Sequence, residues 1–199
     1  MVNKIGILAL QGNFQKHKLV LDQLGIESTY VRYASNLDEI SGLIIPGGES
    51  TTMTKLLNRS GLFESISLFA NKYPILGTCA GLIMMANNAM DDRVNTFKLL
   101  DIDIERNASG RQIDSLTEPL TINYNNFHKK IDATFIRAPK IIRYGKDVNV
   151  IASYKGAPCA IQSGKHVGLS FHPELNGVSI FHEIAFNNII SNRGELHAA

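Results

Sequence analysis

The sequence contains little of what marks several large classes of protein. It has no tryptophan and two cysteines among 199 residues, and 18 acidic residues nearly balance its 20 basic ones. Cys79 and Cys159 form no C-x-x-C pair, which argues against a zinc site or a thioredoxin-like redox site. A net charge of +2 is too small for a nucleic-acid binder that relies on phosphate contacts. No apolar run approaches the roughly 20 residues of a membrane span, so we expect neither a membrane nor a nucleic acid among its partners.

What is present is typical of one ordinary globular domain. A chain of this length is expected to form a single domain over residues 1–199 and to bury a core without a metal or a disulfide. The first residues favour a buried strand over a signal peptide, because the apolar run is short and no small-residue cleavage site follows it. With two cysteines and no leader pattern, the expected compartment is the reducing cytoplasm.

The first half of the chain alternates between strand and helix patterns. Short apolar runs predict strands at 4–10, 28–33, 42–46 and 74–77. Helical periodicity predicts helices at 14–24, 62–71 and 80–89, and a further helix that follows Ser50 as its N-cap and runs to residue 57. This alternation is typical of a parallel sheet with helices on both faces.

The second half has a different character. Shorter strands are predicted at 98–105, 120–123, 133–136, 148–154, 157–162 and 166–171, and a closing helix at 180–190. Lys155 and Gly156 separate two of these strands and indicate a hairpin. The expected fold is therefore α/β, with a mostly parallel central sheet that an antiparallel extension completes.

The segment Gly77-Thr78-Cys79-Ala80-Gly81 has the pattern of a nucleophile elbow with cysteine in place of serine. It lies between a predicted strand and a predicted helix, and the helix dipole would favour the thiolate. The alternative is a buried cysteine in an ordinary strand–helix turn. Because both glycines and both elements stand in the right order, we favour Cys79 as a nucleophile.

Two further motifs supply what such a nucleophile needs, which is a base with its orienting group and donors for an oxyanion. His172 and Glu174 follow the apolar strand at 166–171, and Glu174 could reach back to the imidazole. Gly47 and Gly48 follow the strand at 42–46 and could direct backbone N–H groups at a developing negative charge. Each motif alone also fits a simple surface loop, but chance assembly of all three is improbable.

At this point the sequence resembles the class I glutamine amidotransferases, and most closely those that are glutaminase subunits of pyridoxal 5′-phosphate synthases. The motifs that carry the resemblance are LALQG at 8–12, IPGGESTT at 45–52, GTCAGLI at 77–83, FIRAP at 135–139 and SFHPEL at 170–175. The resemblance implies a three-layer, flavodoxin-like domain. It also implies a Cys79–His172–Glu174 triad, with a glutamine site built by Gly47, Gly48, Glu49, Arg106, Ile136 and Arg137. Gln11 would support the oxyanion loop, and Ser109 departs from the aromatic residue that the family usually has there.

The implied reaction is hydrolysis of L-glutamine to glutamate and ammonia, without a cofactor or a metal. The implied partner is the pyridoxal 5′-phosphate synthase subunit, a (βα)₈ barrel that forms a hetero-oligomer with this chain and uses the ammonia. One alternative is the glutaminase subunit of another amidotransferase, such as imidazole-glycerol-phosphate synthase. Another is a non-catalytic stress- or redox-sensing protein on a related fold, which would not require a His-x-Glu motif after a late strand.

The remaining residues with reactive side chains are predicted to be structural. Cys159 and the pair Met84-Met85 lie in apolar segments and are expected to fill the core. His17, His128, His166, His182 and His197 have no ligand spacing and are expected on surfaces or helix faces. Asp91-Asp92-Arg93 is expected to be a solvated turn.

Overall fold

The structure is a computed structural model that describes residues 4–106, 115–125 and 127–196. The helices of this part of the chain are α1 Phe14–Gln23, α2 Ser50–Ser60, α3 Leu62–Lys72, α4 Ala80–Met85 and α5 Ile180–Leu196. The strands are β1 Ile5–Leu8, β2 Ser28–Val31, β3 Gly42–Ile45, β4 Ile75–Thr78, β5 Ala86–Asn88, β6 Leu100–Glu105, β7 Leu116–Tyr124, β8 Phe127–Phe135, β9 Lys140–Tyr144, β10 Asn149–Tyr154, β11 Ala157–Ser163 and β12 His166–Leu169. Short 3₁₀ helices lie at Ala34–Glu39 and Pro173–Asn176.

A seven-stranded sheet organises the chain, in the order β10-β11-β12-β4-β3-β1-β2. The pairs from β12 to β2 are parallel, whereas β10 and β11 pair antiparallel and β11 pairs antiparallel with β12. Parallel strands joined through helices place those helices against the faces of the sheet. The predicted fold class, a mostly parallel sheet with an antiparallel extension from the second half, is confirmed.

The two faces of this sheet carry two apolar clusters. In β3, Leu43 and Ile45 belong to one cluster and Ile44 to the other, as the alternation of side chains along a strand requires. The helices α2, α3 and α4 cover the first face, and α1 and α5 cover the second. All three side chains of β3 are fully buried, and each such residue contributes roughly 1.5–3 kcal/mol through burial.

The predicted helix at 80–89 is wrong in its second half, because α4 ends at Met85 and the chain continues as β5. The carbonyls of Met84 and Met85 accept hydrogen bonds from the N–H groups of Phe97 and Leu99 at 2.7 and 3.0 Å. Those carbonyls therefore do not continue the helix, and β5 pairs in parallel with β6 instead. A tertiary contact of this kind leaves no local pattern in the sequence.

Outside the main sheet, β5, β6 and β9 form a second sheet and β7 with β8 forms a hairpin. The strand β9 was not predicted, because a single residue of it, Ile141, is buried and no alternation is visible. The hairpin extends well beyond the predicted 120–123 and 133–136, since its outer half carries exposed residues. Within the described residues, no helix is both long and apolar enough to cross a membrane.

Candidate active site

The three sequence motifs meet at one edge of the central sheet. The strands β12, β4 and β3 are neighbours and run in the same direction, so their carboxyl ends lie side by side. Cys79 directly follows β4, Gly47 follows β3 after one residue, and His172 follows β12 after two. Open α/β sheets bind their ligands outside these carboxyl ends. The predicted juxtaposition of the three motifs is therefore present in the fold.

Cys79 occupies a sharp turn between β4 and α4. Its backbone has φ 50° and ψ −103°, a conformation that non-glycine residues rarely adopt. The N–H of Cys79 donates to the carbonyl of Leu169 in β12 at 2.8 Å, which ties the turn to the neighbouring strand. A Cβ on Gly81 would clash with the carbonyl of Ile45, so α4 can start this close to the sheet only with glycine there. Strain of this kind concentrates at functional sites.

His172 and Glu174 form a buried pair beside the elbow. The Nδ1 atom of His172 lies 2.7 Å from Oε1 of Glu174, and the two residues are 4% and 3% exposed. The N–H of His172 donates to the carbonyl of Thr134 at 2.9 Å, which holds its backbone against β8. Pro173 begins the 3₁₀ helix that turns Glu174 back toward the imidazole. The orienting role predicted for Glu174 has the geometry that it requires.

The surroundings of His172 favour its charged form. Burial by itself lowers the pKa of this imidazole, but hydrogen bonds to Cys79 and Glu174, together with their charges, outweigh burial and raise it to about 10. Burial likewise raises the pKa of Glu174, but the charge of His17 and the contacts with His172 bring it below its ordinary value. His172 is therefore placed to carry a proton at neutral pH, between a sulfur atom and a carboxylate.

The loop after β3 approaches the imidazole closely. A Cβ on Gly47 would clash with the His172 ring, so only glycine fits at this distance. The side-chain amide of Gln11, which follows β1, donates to the carbonyl of Glu49 at 2.6 Å. Gln11 thus holds the far end of the loop, as the family resemblance implied.

Glu49, rather than Ser50, is the N-cap of α2, which corrects the sequence prediction. Its carboxylate accepts hydrogen bonds from the N–H groups of Thr51 and Thr52 at 3.0 and 2.7 Å, and from both of their hydroxyls. Partial burial raises the pKa of Glu49, but these hydrogen bonds dominate and lower it to about 2. Ser50 was a reasonable choice by residue type, yet carboxylates also cap helices well, and this one also pairs with a cation.

That cation is Arg106, which lies between two carboxylates. Its guanidinium contacts Glu49 at 3.1 Å and also pairs with Asp91. The side chains of Arg106 and Asp91 are 13% and 17% exposed, so Asp91 is not the solvated turn residue that the sequence predicted. Arg106 therefore lies beside the start of α2, and a substrate carboxylate would have to share it with Glu49 and Asp91. The loop that follows, with Ser109, lies outside the described residues.

The other predicted substrate residues stand at the end of β8. The carbonyl of Ile136 lies 3.8 Å from Sγ of Cys79, and Ile136 is half-buried. Arg137 is exposed and has φ 45°. The turn that carries both residues therefore borders the sulfur atom, on a different element from the loop after β3.

Sequence reasoning missed the burial of three histidines. His17 in α1 and His182 in α5 lie on helix faces, as predicted, but these faces are fully buried. His166 in β12 is buried as well, contrary to the prediction. His17 Nδ1 lies 2.9 Å from Nε2 of His182, and its Nε2 lies 3.6 Å from Oε2 of Glu174. The spacing of His17 from Val20, Leu21 and Leu24 is that of one helix face, and this was the available signal.

Several predictions of structural roles are confirmed. Cys159, Met84 and Met85 are buried in the core, and His128 is exposed. Burial raises the pKa of the Cys159 thiol to about 12. His197 lies outside the described residues. Among the described residues, no cluster of three or more histidine, cysteine, aspartate or glutamate side chains could hold a metal ion.

A three-layer α/β fold with a cysteine elbow and a His-x-Glu pair at one sheet edge is the arrangement of the class I glutamine amidotransferases. A sequence model of the SNO glutamine amidotransferase family matches residues 7–190, and the chain belongs to that family. It is 44% identical over 183 residues to a pyridoxal 5′-phosphate synthase subunit PdxT of Oenococcus oeni, covering 92% of this chain and 95% of that protein. The identity to the PdxT subunit of Thermosipho africanus is 39% over 187 residues, covering 94% and 98% of the two chains.

A solved structure supports the same assignment. A crystal structure described as a glutamine amidotransferase superposes with a TM-score of 0.85 at 36% identity, covering 94% of this chain and 98% of that one. The family resemblance predicted from the motifs is thus confirmed over most of the chain.

Proposed function

We propose that this chain is the glutamine-hydrolysing subunit of a pyridoxal 5′-phosphate synthase, and that residues 1–199 form one amidotransferase domain. The observation that carries the proposal is the buried His172–Glu174 hydrogen bond beside the Cys79 elbow, at the sheet edge next to the Gly47 loop. Family membership and the names of the relatives support the reaction and its destination. Such a triad is recognised by geometry and roles, and the geometry of His172, Glu174 and the Cys79 elbow supports the proposed roles.

The first half of the reaction transfers the glutamyl group to sulfur. The Cys79 thiolate attacks the carboxamide carbon of L-glutamine, and the carbonyl oxygen becomes an oxyanion. Backbone N–H groups of the loop at 47–48 stabilise that oxyanion. His172, which the raised pKa keeps protonated at neutral pH, gives its proton to the departing nitrogen. The C–N bond breaks, and ammonia leaves behind a glutamyl thioester on Cys79.

The second half restores the enzyme. His172, now neutral, takes a proton from a water molecule as that water attacks the thioester carbon. The C–S bond breaks, and glutamate leaves with the water oxygen. The sum is glutamine plus water giving glutamate plus ammonia, so no cofactor or metal is required. Glu174 keeps the imidazole oriented and stabilises its positive charge in both halves.

Glutamine is held by its α-amino and α-carboxylate groups, away from the reacting amide. Arg106 and Arg137 are the cations placed to grip the carboxylate, because a guanidinium binds a carboxylate through two hydrogen bonds. Glu49, whose low pKa keeps it negative, attracts the ammonium group. Gly47, Gly48 and Ile136 line the reacting end.

The ammonia passes to the synthase subunit, a (βα)₈ barrel that builds pyridoxal 5′-phosphate and assembles with this chain as a hetero-oligomer in the cytoplasm. Pyridoxal 5′-phosphate is then the product of the partner. The experiment measures ammonia and pyridoxal 5′-phosphate together, with purified chain, synthase subunit, glutamine and the sugar phosphates. We expect glutamine-dependent synthesis with the wild type and none with Cys79→Ala.

Added ammonium salt separates the two activities. If this chain supplies ammonia alone, ammonium should restore synthesis in the presence of Cys79→Ala. Failure of ammonium to restore synthesis, with a competent synthase subunit, would contradict the assignment of this chain to ammonia supply. Release of ammonia from glutamine without any coupling to synthesis would instead point to a different amidotransferase partner.

A further inference from the structure

A closed set of polar side chains lies behind the triad, on the side away from the sulfur atom. His17 from α1 and His182 from α5 are both 0% exposed. His17 Nδ1 is 2.9 Å from His182 Nε2, and His17 Nε2 is 3.2 Å from the hydroxyl of Thr78. Thr78 is the residue immediately before Cys79. The burial of such polar side chains costs free energy unless each one has a hydrogen-bond partner.

The same histidine approaches the carboxylate of the triad. Glu174 uses Oε1 for the bond to His172, while Oε2 is buried and has no hydrogen-bond partner within the described part of the chain. His17 Nε2 lies 3.6 Å from that Oε2, with both side chains fully buried. A distance of 3.6 Å is beyond a normal hydrogen bond, so the interaction is chiefly electrostatic, and burial strengthens it.

The charges around His17 decide its protonation state. Burial lowers the pKa of His17, and the approach of Glu174 offsets this in part, while His172 lowers it further. The pKa of His182 is lowered by burial and then by His17. The groups that face His17 are therefore Glu174, His172 and His182, and His17 is a neutral imidazole with one N–H at physiological pH.

The position of that single N–H follows from Glu174. A buried carboxylate oxygen without a donor costs free energy. A hydrogen on Nε2 of His17 reduces this cost, because it places positive charge between the Thr78 hydroxyl and Oε2 of Glu174. Nδ1 of His17 is then an acceptor, and His182 donates to it through Nε2, which leaves the neutral Nδ1 of His182 as a buried acceptor without a partner among the described residues. This costs less than leaving a charged carboxylate oxygen unpaired. His182 in α5 and Thr78 in β4 thus contact the ring of His17, and His17 approaches the free oxygen of Glu174.

We propose that His17 is a positioning residue of this site, whose Nε2–H holds the Glu174 carboxylate in place to orient His172. The kinetic test of this proposal rests on the proposed glutaminase function, whereas a second test, alkylation of Cys79, does not. His17 touches neither the sulfur nor the substrate residues named above, so its removal should lower kcat and leave KM nearly unchanged. At metal sites, substitution of a residue that holds a metal ligand in place typically lowers activity by about 10- to 100-fold. We expect a loss in the same range for His17.

Two matched substitutions test which nitrogen matters. In His17→Gln the side-chain amide can place its N–H near the position of Nε2, whereas His17→Asn reaches only the position of Nδ1. We expect His17→Gln to retain most of kcat and His17→Asn to lose about 10- to 100-fold, measured in complex with the synthase subunit. His166→Asn is the control, since His166 is also buried, accepts from the N–H of Ile75 and lies at the opposite end of β12.

A second readout uses the full chain alone and needs no glutamine. We would measure the rate at which iodoacetamide alkylates Cys79 at pH 7.5, in a Cys159→Ala background. If Glu174 is held less firmly, the imidazolium of His172 is stabilised less and is a weaker partner for the sulfur. The alkylation rate should then fall in His17→Asn and stay unchanged in His17→Gln and His166→Asn. In a Glu174→Gln background the decrease caused by His17→Asn should disappear, because interacting residues give non-additive effects.

The proposal is overturned if His17→Asn matches His166→Asn in both kcat and alkylation rate, or if the decrease in rate persists undiminished with Glu174→Gln. It is also overturned if His17→Gln and His17→Asn behave alike while both fold, as judged by equal thermal midpoints. If the wild-type complex releases no ammonia from glutamine, the proposed function fails, and the alkylation rates still decide the role of His17.

Discussion

The two cysteines of this chain are buried to nearly the same degree but differ in backbone conformation and in the charged groups near them. Cys79 is 7% exposed and Cys159 is 3% exposed. Cys79 lies in a strained turn at the carboxyl end of β4, beside an imidazole whose pKa is raised. Cys159 lies within β11, where its sulfur contacts the carbonyl of Ala152 at 3.4 Å and burial raises its thiol pKa to about 12.

The difference shows that burial alone does not decide the reactivity of a thiol. A buried sulfur in apolar surroundings is inert because its thiolate would be unpaired, whereas the same sulfur beside an imidazolium gains a partner for its charge. The backbone conformation at Cys79 creates that proximity, because it turns the chain off the sheet beside β12. Substitution of either cysteine, or of the residues around Cys79, tests this difference between the two thiols.

The largest effect is expected from removing the sulfur itself. Cys79→Ala should abolish glutamine hydrolysis, with a loss of at least about 10⁴-fold in kcat, since nucleophile and base act as a unit. Cys159→Ala should retain activity within about twofold, because Cys159 lies in the core and not at the sheet edge. Ammonia release by the complex measures both. Residual activity in Cys79→Ala comparable to that of Cys159→Ala would refute the assignment of the nucleophile.

The next largest effect concerns the partner of the sulfur. His172→Asn should lower kcat by about 10⁴-fold or more, and Glu174→Gln by about one to two orders of magnitude less, because an orienting group contributes less than the base. Initial rates at saturating glutamine give the two ratios. Similar small losses at both positions would place the base elsewhere.

The sequence anticipated this arrangement because each motif combines a strand end with a glycine or a proline. Gly77 and Gly81 allow the chain on either side of Cys79 to pass close to neighbouring atoms, and Pro173 fixes the backbone between His172 and Glu174. The local turns therefore follow from the residues. The parallel sheet then brings the strand ends together, as its βαβ connectivity requires. The fold class and the meeting of the three motifs at one sheet edge were therefore within reach of the sequence.

The features that depend on long-range contacts could not be predicted from the sequence. Asp91 is 15 positions from Arg106, and His17 is 165 positions from His182, so no local pattern announces either pair. The end of α4 is set by Phe97 and Leu99, which take its last carbonyls. Glu49 was assigned to a substrate group while its role as N-cap went unrecognised, because the choice between neighbouring caps depends on where the helix begins.

The pH dependence of labelling sharpens the contrast between the thiols. The imidazolium of His172 persists up to a pKa of about 10, so its pairing with the Cys79 sulfur is present at pH 7–9 and is lost as the pH rises through about 10. The Cys159 thiol, with a pKa of about 12, is about one per cent ionised at pH 10. Iodoacetamide at pH 7.5 should label Cys79 at least about 100-fold faster than Cys159, read by peptide mass spectrometry.

Denaturation provides the control for that measurement, since both thiols should then react at similar rates. Comparable labelling of the two cysteines in the native chain would mean that His172 does not activate Cys79.

A smaller loss of kcat is expected when the close contact between the Gly47 loop and the His172 imidazole is disturbed. Gly47→Ala would place a methyl group against His172, so it should displace either the ring or the loop and lower kcat by about 10²-fold. Gly61→Ala is the control: it has φ 70° and open space around it, and should cost about 1–2 kcal/mol of stability with no loss of kcat. If Gly61→Ala lowered kcat as much as Gly47→Ala, the loss would reflect general destabilisation.

The smallest effect concerns the inert cysteine, which should matter for stability alone. Cys159→Ala removes a buried sulfur from the cluster that also contains Ile151 and Val167, and it should lower the free energy of unfolding by about 1 kcal/mol. For a chain of this size that corresponds to a decrease of about 2–4 °C in Tm. Cys159→Ser, which keeps a donor near the Ala152 carbonyl but places a hydroxyl in the core, is the matched variant. Thermal melts with parallel activity assays should show a reduced Tm and full kcat for Cys159→Ala. Cys79→Ala, in contrast, should lose kcat. A Cys159→Ala chain that kept its Tm but lost activity would show that the second cysteine belongs to the site.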